Sequence, residues 1–133
     1  RTAQWGTGWQ AGIENAAQIA TVITAIKRRT EELGRKIDDD HFGAGFSFRF
    51  GSVDDPVVQR HHAVLEKRLG KQPEGYSAVG GVEEMMTLVE DFHRAGAHKF
   101  ILRPIAMGVT DMMEQTQLMV EQLVPAISAM NSS

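Results

Sequence analysis

The sequence predicts an α/β fold in which short parallel strands alternate with amphipathic helices, and three features carry that reading. His41–Phe50 alternates strictly: Phe42, Ala44, Phe46, Phe48 and Phe50 share one parity, and Gly43, Gly45, Ser47 and Arg49 the other. That period of two is the signature of a strand. Lys99–Pro104 is a short apolar run after Gly96, of the length expected for a buried strand. Around these lie stretches with apolar residues at helical spacing, and strands joined through helices imply a parallel sheet with right-handed crossovers.

Taken in order, Arg1–Trp5 has no start signal and reads as the tail of an element that begins earlier, the alternative being a disordered or processed terminus. Thr7–Ala11 suits a short strand, and Gly12 breaks it. Glu14 or Asn15 caps a helix whose inner face is Ile19, Val22, Ile23, Ile26 and Leu33. Lys27, Arg28 and Arg29 load its carboxyl-terminal half, and Gly34 is a good stop. Asp38–Asp40 form a polar turn. After the alternating strand, Asp54 or Asp55 with Pro56 opens a helix through about Leu69, with proline in the tolerated first turn. Lys71–Gly75 is a loop, and Gly80-Gly81 leads into a helix from Val82 to Ala95, striped by Val82, Met85, Met86, Val89 and Phe92. After Lys99–Pro104, Thr110 or Asp111 caps a last helix to about Ala129. Met112, Met113, Leu118 or Met119, and Leu123 are expected inward, Pro125 is expected to kink or end it, and Asn131–Ser133 to fray. The expected order is strand, helix, strand, two helices, strand, helix.

With 133 residues the chain suits one domain rather than two. Its 42% hydrophobic and 23% charged residues are ordinary globular composition. A net charge of −3, with no basic run interleaved with aromatics, gives no reason to expect nucleic acid or an anionic membrane as partner. The absence of cysteine excludes a disulfide framework, a thiolate metal site and a cysteine nucleophile. No apolar run approaches the ~20 residues of a bilayer span, and no signal-peptide pattern is present. A soluble, cytoplasmic chain is expected.

The strand parities locate the candidate chemistry. With the phenylalanine face under the helices, Gly43, Gly45, Ser47 and Arg49 face the other way, where small side chains suit a tight interior or the close approach of a ligand. Covering Phe100 and Leu102 likewise turns Ile101 and Arg103 inward. Arg49 and Arg103 then meet at the carboxyl-terminal mouth of a parallel sheet, where barrels and open α/β folds bind ligands. Arginine there holds a phosphate or carboxylate, or lies on a planar ring; the alternative is a pair of structural arginines bonded to loop carbonyls or carboxylates.

Other signals are weaker. Gly6-Thr7-Gly8-Trp9-Gln10-Ala11 matches the dinucleotide-binding glycine pattern but follows no apolar strand, so Trp9 reads as packing across a barrel mouth or interface. Gly80-Gly81 before a helix resembles an anion nest, yet Glu83 and Glu84 already occupy that positive helix end. The five histidines have no ligand-set spacing: His61-His62 are adjacent, and His93 and His98 straddle a helix end. Asp38–Asp40 lacks the glycine and distal glutamate of a calcium loop. No metal site and no catalytic residue is named by spacing.

Four stretches together carry a family resemblance: Arg1–Gln10 (RTAQWGTGWQ), Gly34–His41 (GRKIDDDH), Val79–Glu84 (VGGVEE) and Ala95–Ile105 (AGAHKFILRPI). They resemble the carboxyl-terminal portion of luciferase-like flavin-dependent oxidoreductases, the branch using a deazaflavin coenzyme in particular. The resemblance implies a single partial domain over residues 1–133, about three βα units from the end of a (β/α)8 TIM barrel. It further implies reduced FMN or deazaflavin at the mouth, and hydride transfer or monooxygenation of a small-molecule substrate. Trp9, Arg49 and Arg103 are the positions that strand-end reasoning, not a family motif, puts near that pocket. The phosphate-gripping glycine pair and most ring contacts of the family belong to an amino-terminal portion. A barrel takes ~250 residues; this part alone is expected to be inactive and to need that portion, or further copies of itself, against its open strand edges. The contrasting expectation is a non-catalytic α/β binding or assembly module that self-associates.

Overall fold

Local sequence chemistry sets the helix boundaries. A computed structural model describes residues Arg1–Ser132. Its elements are α1 (Thr2–Trp5), β1 (Trp9–Gln10), α2 (Ala16–Glu32), a 3₁₀ turn (Asp39–His41), β2 (Phe42–Phe50), α3 (Pro56–Leu69), β3 (Ser77–Gly80), α4 (Val82–Arg94), β4 (Lys99–Pro104), α5 (Gly108–Leu118), a π turn (Met119–Leu123) and α6 (Val124–Ser132). Asn15, not Glu14, caps α2: its side chain accepts from the Gln18 amide at 3.0 Å while the Gln18 side chain accepts from the Asn15 amide at 2.9 Å. That reciprocal box satisfies two otherwise orphaned donors. Pro56 opens α3 after Asp55, and Gly70, at φ 70°, ends it in the left-handed conformation that glycine adopts without strain.

Three expectations about cover are corrected. Leu33 is exposed because it lies at the carboxyl cap of α2, and buried Thr30 takes the inner position, its hydroxyl donating to the Ile26 carbonyl. Met112 and Met113 of α5 are exposed, whereas Gln115 is 4% exposed. β4 is not a buried strand: Lys99, Ile101 and Arg103 are exposed and the alternate residues half-buried, since among the described residues β4 pairs with β2 alone.

Two further differences concern the elements themselves. β3 falls between the Lys71–Gly75 loop and the helix from Val82, where no strand is expected, so the described residues form four strands, each followed by a helix, instead of three. Pro125 neither ends the last helix nor stands in a regular one. The turn before it widens, the Val124 amide donating five residues back to the Met119 carbonyl, and the helix resumes to Ser132. A wide turn accommodates a ring that lacks its own N–H and crowds the carbonyl four residues earlier. Of the three residues expected to fray, Ser133 lies outside the described residues.

The chain divides into two compact units. The first comprises Arg1–Phe46 and Glu90–Ile101, the second Ser47–Val89 and the chain from Leu102. In the first, β1 runs parallel to the start of β2, Trp9 opposite Phe42 and Gln10 opposite Gly43, and the His98 amide donates to the Phe42 carbonyl at 2.8 Å. Its core is Ile19, Ile23, Phe42, Ala44, Phe46, Phe92 and Ala97, with the Phe46 and Phe92 rings 5.8 Å apart. In the second, Ser47–Phe50 runs parallel to β3, and the Ile105 amide donates to the Phe48 carbonyl. Phe48, Val58, Tyr76, Ala78, Met85, Val89 and Leu123 are buried there.

Candidate functional site

Trp9 lines an open cleft of about 490 Å³ in the first unit, together with Thr7, Gly8, Gln10, His41, Gly43 and Lys99. The Nδ1 of His41 lies 2.7 Å from the Thr7 carbonyl, so that nitrogen is the donor, and Nε2 lies 3.7 Å from Asp40 Oδ1. The parallel register sets Trp9 beside Phe42, the first residue of β2. The cleft therefore sits where β1, β2 and β4 start, whereas strand-end reasoning puts Trp9 at a carboxyl-terminal mouth. The small residues of β2 accommodate the chain's own atoms. A Cβ on Gly43 would lie 2.0 Å from the Gln10 amide oxygen, and one on Gly45 2.6 Å from the Ile101 carbonyl.

Arg49 belongs to the second unit and is held from three directions. Its Nη1 donates to the Ile105 carbonyl and to Asp111 Oδ2, each at 2.8 Å, and its Nε to Asp55 Oδ2 at 3.4 Å. Asp111 also accepts from the Met107 amide at 2.8 Å. The hydrogen bond from Arg49, seconded by Met107, holds the Asp111 carboxyl below the usual carboxylate range, and Asp111 raises the Arg49 pKa in turn. The end of β2, the start of α3 and the loop from β4 to α5 thus converge on one guanidinium. Asp55 and Asp111 were legible only as helix-start residues; their ion pairs with Arg49 depend on long-range folding.

Arg103 stands exposed at the carboxyl end of β4 and makes no hydrogen bond or ion pair among the described residues. The group it acts on is His61, whose pKa is lowered by burial first, then by His62 and by Arg103. No bond joins Arg103 to Arg49; the two arginines end neighbouring strands in different surroundings. At Gly80-Gly81, the Glu84 carboxylate accepts from the Gly81 amide at 2.8 Å and is held low by it, so this nest carries its own anion. Asp38, Asp40 and His41 place potential ligand atoms within 4.8 Å of one another at the surface. The sequence signal for this grouping was only a polar turn followed by a strand-opening histidine. No helix among the described residues is long and apolar enough to cross a membrane.

No protein-family model matches the chain, and no curated protein matches it. Solved structures do. An F420-dependent secondary alcohol dehydrogenase matches over 94% of this chain and 44% of its own, with a TM-score of 0.68 and 15% identity. The monooxygenase RslO1 from Streptomyces bottropensis matches over 94% and 43%, with a TM-score of 0.66 and 15% identity. A coenzyme F420-dependent tetrahydromethanopterin reductase from Methanopyrus kandleri matches over 95% and 47%, with a TM-score of 0.61 and 16% identity. The chain spans less than half the length of each. The likeness is one of fold: parallel strands and helices that superpose on part of a TIM-barrel enzyme.

Proposed function

We propose that this chain is the carboxyl-terminal part of a luciferase-like barrel oxidoreductase that works with a deazaflavin coenzyme. The observation that carries the reading is the match of 94–95% of the chain to three oxidoreductases, two of them named for coenzyme F420, a deazaflavin. That naming favours deazaflavin over FMN. Such a coenzyme supplies a hydride when bound in its reduced form.

The chain's own residues divide the work unequally. Arg103, exposed and unbonded, fits an anionic group of the coenzyme. Arg49 is a positioning residue: Nη1 and Nε are engaged by Ile105, Asp111 and Asp55, and they fix the loop that follows Arg103. The glycine pair and most ring contacts come from an amino-terminal portion, so the chain by itself is inactive, and its substrate is a small molecule. We place it in the cytoplasm, with neither nucleic acid nor membrane as partner.

The test is a fluorescence titration of the chain with deazaflavin coenzyme and with FMN. Saturable deazaflavin binding, weakened at least tenfold in Arg103→Ala, supports the reading; equal binding by the variant opposes it. Ile101, 49% exposed on a strand with one partner among the described residues, favours a second reading, an assembly module that self-associates. Gel filtration showing a concentration-dependent oligomer without coenzyme binding would favour it.

A further inference from the structure

A second concavity lies in the second unit, between α3 and the loop that follows β4. It has a volume of about 340 Å³, and its walls include Val57 and Val64 of α3, Pro104 at the end of β4 and Met107 of the loop. That size is within the range of small-molecule pockets. Val64 and Met107 are 64% and 56% exposed, so the apolar wall is open to a ligand.

Two polar groups join this wall. Arg60 makes no hydrogen bond or ion pair among the described residues, unlike Arg49, which is saturated by carboxylates and a carbonyl. The Nε2 of His61 is buried and has no partner, a costly state for a ring nitrogen. Arg103 adds positive potential at His61. The opposing wall is fixed in advance: the Ile105 amide is bonded to the Phe48 carbonyl, the Ile105 carbonyl to Arg49, and the Met107 amide to Asp111. A wall held at three points costs little ordering on binding.

We propose that this groove is a binding site for an amphiphilic monocarboxylate, its apolar body on Val57, Val64 and Met107 and its carboxylate on Arg60, with the His61 ring turning its buried Nε2–H out to meet it. A carboxylate accepts from both donors at once and meets no acidic side chain among the groove's lining residues. The neutral imidazole supplies one N–H, and Arg60 the charge.

The chain is titrated with octanoate, octanamide and inorganic phosphate, by calorimetry and by NMR of the His61 ring, assigned from the signals lost in His61→Gln. Saturable octanoate binding that shifts the His61 ring is expected, at least tenfold tighter than octanamide. Arg60→Ala, at an exposed position, should weaken octanoate at least tenfold and leave octanamide unchanged, and phosphate should leave the ring unmoved. Octanamide binding as tightly as octanoate, phosphate shifting the ring equally, or Arg60→Ala binding octanoate like the native chain would each overturn the proposal.

Discussion

The Nη1 of Arg49 donates to Oδ2 of Asp111 at 2.8 Å, joining the carboxyl end of β2 to the first turn of α5 across 62 positions of sequence. The side chains keep only 15% and 23% of their exposure, so the pair is shielded from much of the screening that weakens surface ion pairs. Arg49→Ala should cost about 2 kcal/mol, less than the ~3–5 kcal/mol of a fully buried pair because both side chains retain some solvent. Asp111→Asn should cost a similar amount, ~1–2 kcal/mol for a weakened charged hydrogen bond. Urea midpoints of both variants and of the double variant check this. The double variant should lose clearly less than the sum, and strict additivity would show that the contact contributes nothing.

Stability should fall with acid in two stages. The His61 pKa is lowered in the folded chain, so the unfolded chain binds the proton more readily, and stability is lost as pH falls below about 6.5. Asp39, held low by Lys27, and Asp111, held low by Arg49, are also depressed. Their contribution is present above the unfolded carboxylate value of about 4 and vanishes as pH falls through the folded values. Melting temperatures from pH 8 to 3 should show a shallow decline and then a steep one. His61→Phe should abolish the first stage and keep the second.

Gln115 closes the end of β2. Its Oε1 accepts from the Phe50 amide at 2.8 Å and its Nε2 donates to the Phe50 carbonyl at 3.1 Å, so a side-chain amide does what a neighbouring strand would do. Gln115→Leu fits the space but strands both backbone groups, at an expected cost of ~2 kcal/mol. Hydrogen exchange at the Phe50 amide should accelerate in this variant, and unchanged protection would mean the bond is dispensable.

The cap of α2 gives a smaller, separable effect. Asn15→Ala removes the acceptor for the Gln18 amide and should cost ~1 kcal/mol. Asn15→Asp should restore it. Thermal melts of the two variants decide.

What could be read from sequence followed physical locality. β2 announced itself because five residues of one parity are apolar, and α3 because Asp55, Pro56 and Gly70 mark both of its ends. β3 was hidden because Ser77, Ala78 and Gly80 leave Val79 as its one large apolar side chain. Gln115 was hidden for a related reason: periodicity counts apolar residues, so a buried amide reads as a surface position while Met112 and Met113 read as core. Arg49 was found as a site candidate, yet its partners lie at positions that reveal nothing until β2, α3 and α5 come together. Trp9 was placed by which end of a strand it occupies, and a two-residue strand does not say which end of its neighbour it pairs with.

The central claim is that this chain forms one part of a larger barrel, and the intact mass of the native polypeptide tests it most directly. The account predicts a polypeptide of at least ~250 residues, with further strand–helix units ahead of Arg1. A native polypeptide of about 133 residues that runs as a compact, cooperatively melting monomer would contradict it.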